Sequence, residues 1–144
     1  MTKSISFFSE SSEETQEAGR KIAKLISPGD VLCLTGDLGA GKTTLMKGLS
    51  QEFAQVNPEE VTSPTFTYLH IYSGTQKIHH FDLYRLESSK EFLMLGFDEF
   101  FSDDSICCVE WPNNIPEELQ FRKVSIEITY ASSNKRKITF RRSI

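Results

Sequence analysis

No apolar run in this 144-residue chain approaches the ~18 residues needed to cross a bilayer. The sequence therefore predicts no membrane span and no membrane partner. The opening residues Met1-Thr2-Lys3-Ser4-Ile5 lack the long apolar stretch of a secretory leader, and none is expected. Cysteine is scarce. Cys33, Cys107 and Cys108 are the full complement, and their spacing fits no zinc-ligand pattern. All three stand in apolar, strand-like runs, which points to free, buried thiols in a reducing cytoplasm. Excess positive charge is missing too. A net charge of -4 argues against binding nucleic acid by bulk charge, and no DNA partner is expected. Repeats, long low-complexity stretches and linkers are absent. The length suits one α/β domain over 1–144, with no room for a lid or a separate substrate domain.

Against these absences stands one informative run, Gly36-Asp37-Leu38-Gly39-Ala40-Gly41-Lys42-Thr43-Thr44. It meets every fixed position of the phosphate-loop pattern G-x-x-x-x-G-K-[ST]. The glycines let successive backbone N–H groups turn towards one anion. Lys42 supplies positive charge for the terminal phosphates. Thr43 offers a hydroxyl to a magnesium ion, and a helix opening at Lys42 directs its positive dipole end to the same place. The apolar run Val31-Leu32-Cys33-Leu34-Thr35 before the loop reads as a strand buried on both faces. After it, Leu45, Leu49 and Phe53 form a helix face. Strand, glycine-rich loop and helix are the order the motif needs, so the chain is expected to bind a nucleoside triphosphate with magnesium.

The remaining pattern is that of a compact α/β domain. Residues 5–8 read as a first strand. Ser11 and Glu14 have capping-box spacing ahead of a helix whose apolar face is Ala18, Ile22, Leu25 and Ile26. Residues 56–60 form a loop, and 61–66 are extended because Pro64 keeps Ser63 out of the helical region. Segments 67–72 and 77–81 flank a turn and predict a hairpin. A short helix over 88–95 stops at Gly96. Residues 105–110 predict a central strand, 124–130 alternate as a half-buried strand, and 137–140 pair with it. The expected sheet is mixed, mainly parallel in its centre and flanked by helices, with an antiparallel C-terminal hairpin.

A phosphate loop alone hydrolyses nothing; an acid near the metal and a group to orient water are also required. Glu110 ends the apolar run 106–109, and Asp82 ends 77–81 in the same manner. Ligands gather at the carboxyl ends of parallel strands, which favours Glu110 as the metal-side acid. Thr65 lies in a constrained loop able to carry a group towards the γ-phosphate. Trp111 follows Glu110 and is the single tryptophan. His79 and His80 are adjacent, so in a strand they face opposite sides and cannot form one ligand pair. His70 reads as a plain strand residue. Lys135, Arg136, Lys137, Arg141 and Arg142 make the C-terminal hairpin basic. They read either as a solvated edge or as an RNA or partner patch. No Asn-Lys-x-Asp loop stands where guanine would be read, which favours ATP. A small-molecule kinase would add lid arginines, yet only Arg85 lies between the phosphate-loop helix and Phe121. A binding module that barely turns ATP over is the other alternative.

Taken together, the phosphate loop, Thr62-Ser63-Pro64-Thr65-Phe66, His80-Phe81-Asp82-Leu83-Tyr84-Arg85-Leu86 and Val109-Glu110-Trp111-Pro112 resemble the TsaE (formerly YjeE) family over nearly the whole chain. That family comprises small bacterial ATPases needed to make N6-threonylcarbamoyladenosine in tRNA. The resemblance implies that Lys42 and the loop amides of Gly36 to Thr44 hold phosphates, and that Thr43 and Glu110 hold magnesium. It implies that Thr65 belongs to a switch-like loop. Asp82 would be essential, either orienting water or as an outer metal partner, and Trp111 would serve the nucleotide site or its coupling to partners. It also implies TsaD and TsaB as partner proteins, with tRNA reached indirectly through them.

Overall fold

The computed structural model describes residues 2–37 and 41–143. Ten regular elements follow one another: β1 (Thr2–Ser9), α1 (Ser12–Ala23), β2 (Asp30–Gly36), α2 (Lys42–Ala54), β3 (Leu69–Ser73), β4 (Lys77–Asp82), α3 (Ser89–Met94), β5 (Ser105–Glu110), β6 (Arg122–Ser132) and β7 (Lys135–Ser143). The strands form one seven-stranded sheet in the order β1-β7-β6-β2-β5-β4-β3. The four central strands, β6, β2, β5 and β4, run parallel. Antiparallel strands finish both edges, β7 and β1 on one side and β3 on the other.

Side-chain alternation divides the core. Leu32 and Leu34 of β2, with Ile106 and Cys108 of β5, pack under α1 and α2. Val31 and Cys33, with Cys107 and Val109, face the opposite way into a cluster closed by Phe92 of α3, Phe97 and Ile115. Cys107 and Cys108 therefore point to opposite faces, as the strand period requires. Burial pushes the Cys107 thiol up to about 12 and Cys108 well above its ordinary value. All three cysteines are free and buried, and these two thiols stay protonated and inert.

Ser11 caps α1, its hydroxyl accepting from Glu14 N. The Glu14 carboxylate reaches back to Glu10 N, one residue before the cap. α1 and α2 cross at two glycines. A Cβ at Gly48 would stand 1.9 Å from Gln16 O, and one at Gly19 would stand 2.3 Å from Leu45 O. That close crossing holds α2 against α1 while Leu45, Met46 and Leu49 join the core on this side of the sheet.

Several segments differ from the sequence expectation. β1 runs from Thr2 to Ser9 rather than over 5–8, α1 ends at Ala23 so that Leu25 and Ile26 pack on the core from beyond it, and Pro58–Glu60 form a single 3-10 turn within the expected loop. Residues 65–67 form a turn closed by a Tyr68 N–Pro64 O bond, so β3 starts at Leu69 rather than 67. Tyr68 takes a left-handed conformation (φ 65°) and its carbonyl accepts from Asp82 N, which bends the chain back over the end of β4. The C-terminal hairpin is longer than 124–140. β1 pairs along the outer edge of β7 from Thr2↔Ser143 to Ser9↔Arg136, and that extra partner carries the strand to Ser143.

Candidate active site

Three parallel strands end together. Gly36 closes β2, Glu110 closes β5 and Asp82 closes β4, with Glu110 and Asp82 directly paired in register. Leu83 N donates to Glu110 O, which ties the two strand ends. Gly36 can only be glycine here, because a Cβ would come within 2.6 Å of Ile128 O on β6. Asp37 follows, exposed. Leu38, Gly39 and Ala40 lie outside the described residues. Gly41 caps α2 at φ 109°, a conformation that favours glycine.

A cleft of about 490 Å³ opens over these ends. Lys42, Thr43 and Thr44 from the first turn of α2 line it, with Ser63, Thr65, Asp82, Tyr84, Glu110 and Trp111. The structure thus brings together the lysine, the hydroxyl, both carboxylates, the loop threonine and the tryptophan singled out in the sequence. Lys42 is only 8% exposed. Its ammonium donates to Gly36 O at 3.0 Å, lies 4.0 Å from Glu110 Oε1 and sits 5.0 Å over the Trp111 ring. Those contacts make a buried cation tolerable. Trp111 adopts φ 56°, a left-handed turn for a bulky residue. Its ring packs 4.8 Å from that of Tyr84.

Asp82 is buried, and its two oxygens have different duties. Oδ1 accepts from Tyr84 N at 3.0 Å. Oδ2 accepts from Ser63 Oγ at 3.3 Å and Thr65 Oγ1 at 3.4 Å. The loop carrying these hydroxyls is pinned at its base. Lys47 of α2 donates to Pro58 O and Val61 O, and the Tyr72 hydroxyl donates to Thr62 O at 3.1 Å. Burial pushes the Tyr72 phenol above its ordinary value, so it remains a donor. His70 also bonds Thr62 O through Nδ1, at 3.2 Å.

Sequence reasoning missed three contributors: Ser63, Tyr84 and His80. His80 Nε2 lies 2.7 Å from Glu110 Oε2. The signal was present, because His80 and Asp82 are two apart on a strand and share a face. The adjacent-histidine argument holds for His79. It turns the other way, bonds Ser105 Oγ and packs on Phe100, and burial pushes it below the ordinary histidine value. In the basic hairpin, Arg136 lies alongside Gly41, its guanidinium over the Tyr130 ring.

The cleft is lined by the hydroxyls of Thr43, Thr44, Ser63, Thr65 and Tyr84 and by the carboxylates of Asp82 and Glu110, hard oxygen donors of the kind that suits magnesium. A glycine-rich run between a parallel strand and a helix, with a buried lysine and paired acids lining one cleft, defines a phosphate-loop α/β domain. Comparison with known proteins narrows that class. The family model for the threonylcarbamoyl adenosine biosynthesis protein TsaE matches residues 9–138, and the chain belongs to this family. A Bacillus subtilis relative named tRNA threonylcarbamoyladenosine biosynthesis protein TsaE is 42% identical over 129 residues, covering 89% of this chain and 79% of its own. A protein of the same name from Treponema pallidum is 36% identical, covering 91% and 96%. The crystal structure of Bacillus subtilis YdiB superposes with a TM-score of 0.76 at 35% identity, covering 99% of this chain and 87% of that one. Among the described residues, no helix is long and apolar enough to cross a membrane.

Proposed function

We propose that this protein is a cytoplasmic ATPase that binds and hydrolyses ATP with magnesium. In doing so it supports a TsaB–TsaD pair in forming N6-threonylcarbamoyladenosine in tRNA, next to the anticodon. The observation that carries the ATPase reading is the single cleft shared by Lys42, Thr43, Thr65, Asp82 and Glu110. The names of the relatives carry the tRNA-modification reading. Three unpaired thiols support the reducing compartment.

In this reading the loop amides and Lys42 hold the β- and γ-phosphates. Thr43 and Glu110 hold magnesium, whose chemistry when bound is to neutralise charge building on the phosphate oxygens. Asp82, which lines the same cleft as Lys42, would accept a hydrogen bond from the attacking water and so orient it. Glu110 and Trp111 confine Lys42. Thr65 and Ser63 trade their bonds to Asp82 for contacts with nucleotide or water, and the loop moves with them. ATP shifts partner binding through that loop because it contacts one loop position better than the other.

The test is ATP hydrolysis by the purified protein, alone and with its TsaB–TsaD partners. The expected result is strong stimulation by the pair, with Lys42→Ala abolishing turnover in both conditions. Equal, unstimulated turnover with and without the pair would overturn the coupling, and phosphorylation of a small metabolite would overturn the ATPase reading.

A further inference from the structure

We infer that His80 is a positioning residue for the Glu110 carboxylate, holding one of its oxygens so that the other stays presented to the metal. This rests on the proposed role of Glu110 as a magnesium-side acid.

The geometry is specific. β4 and β5 run parallel with Asp82 opposite Glu110 and His80 opposite Cys108. His80 is therefore diagonal to Glu110 on the same face, within reach of an imidazole. Its Nε2 lies 2.7 Å from Glu110 Oε2, and neither side chain is more than 4% exposed. A carboxylate only accepts, so Nε2 carries the hydrogen. The contact divides the two oxygens of Glu110. Oε2 is committed to His80, while Oε1 faces Lys42 at 4.0 Å. A glutamate at a strand end has three side-chain torsions, and one firm hydrogen bond removes most of that freedom before any ligand arrives.

A histidine kept only for packing would be expected to satisfy both nitrogens in the core. His80 does not. Its Nδ1 is buried with no hydrogen-bond partner among the described residues, so its one polar contact of consequence is the one to Glu110. The ring is itself fixed. It packs 6.1 Å from the Tyr72 ring, whose hydroxyl anchors Thr62 at the root of the Ser63–Thr65 loop.

The experiment measures equilibrium binding of a fluorescent ATP analogue across a magnesium titration and in excess EDTA, in three variants. His80→Gln carries an amide N–H near the position of Nε2. His80→Asn carries it near Nδ1, where it cannot reach Glu110. His80→Leu removes the donor. The expected result is a rise of about 10- to 100-fold in the magnesium needed for half-maximal binding in the His80→Asn and His80→Leu proteins. Binding in EDTA should be unchanged, and His80→Gln should stay within a few-fold of the parent. Should His80→Leu fail to fold, the contrast between the Gln and Asn variants decides the matter alone. Equal magnesium requirements in those two, or a parent-like requirement in both His80→Asn and His80→Leu, would overturn the inference while leaving the ATPase reading intact. A parent protein that binds the analogue equally with and without magnesium would overturn both.

Discussion

Asp82 illustrates how one carboxylate joins the end of β4 to the loop carrying Ser63 and Thr65. Its bond from Tyr84 N is 3.0 Å, whereas those from Ser63 and Thr65 are 3.3 and 3.4 Å, at the outer limit for hydroxyl donors. The bond from the turn after β4 is short and those from the Ser63–Thr65 loop are long, which in the proposed reading suits a contact exchanged during turnover. Asp82→Asn keeps shape and most hydrogen bonds but loses the negative charge that, in the proposed reading, orients water. We expect kcat to fall on the order of 100-fold, with nucleotide affinity within a few-fold. Steady-state hydrolysis alongside direct nucleotide binding checks this. A parallel loss of affinity and kcat would instead assign Asp82 to ground-state nucleotide or metal binding.

Among the elements, the α1–α2 crossing sets where the first turn of α2, with Lys42 and Thr43, sits. Gly48 allows Gln16 O to approach where a methyl group would overlap it. Alanine normally favours a helix interior over glycine by about 1 kcal/mol. Here the clash with backbone reverses the sign. Gly48→Ala should destabilise the domain by about 1–3 kcal/mol in denaturant unfolding. It should also weaken nucleotide binding, because α2 must lift from α1 and takes Lys42 and Thr43 with it. A stabilised variant would show that the crossing has slack. The loop from Pro58 to Thr65 depends on the same helix, since Lys47 holds both Pro58 O and Val61 O.

For the molecule as a whole, the end of the sheet opposite the cleft is tied by Asp30. This buried carboxylate starts β2 and accepts from Arg142 on β7 at 2.7 and 2.9 Å and from Arg122 on β6 at 3.1 Å. Arg142 also donates to Leu25 O after α1. Burial raises the Asp30 pKa, but hydrogen bonds from Arg142, Ser27 N and Arg122 outweigh it and hold it below the ordinary 3.8. The folded chain thus binds this proton more weakly than the unfolded chain. Its contribution to stability is complete above about pH 4–5 and is lost as pH falls through the lowered folded value. Asp30→Asn should cost about 3 kcal/mol at pH 7, by leaving Arg142 without its anion. The difference from the parent should shrink towards pH 3. Denaturant unfolding of both proteins at the two pH values measures it, and an unchanged gap would assign the loss to packing.

Local chemistry was legible along the chain. The glycine-rich loop, the alternation around Cys107 and Cys108, the Ser11 cap, the Gly96 stop and the acids at two strand ends all follow from short-range rules. Steric limits, side-chain period and capping act over a few residues and need no knowledge of the rest. Contacts between distant segments were not legible. His80 meets Glu110 across 30 positions and Arg142 meets Asp30 across 112. The addition of β1 to the edge of β7, the turn that delays β3 and the close approach of Gly48 to Gln16 are of the same kind. Each depends on which strands pair and how helices seat on them. Those choices are settled by burying one shared core, where the best partner for a side chain is fixed by everything else that packs. The sequence alone could therefore name the groups that line the cleft. Packing of the whole chain decided which of those groups is steadied, by what neighbour, and which oxygen it turns to the cleft.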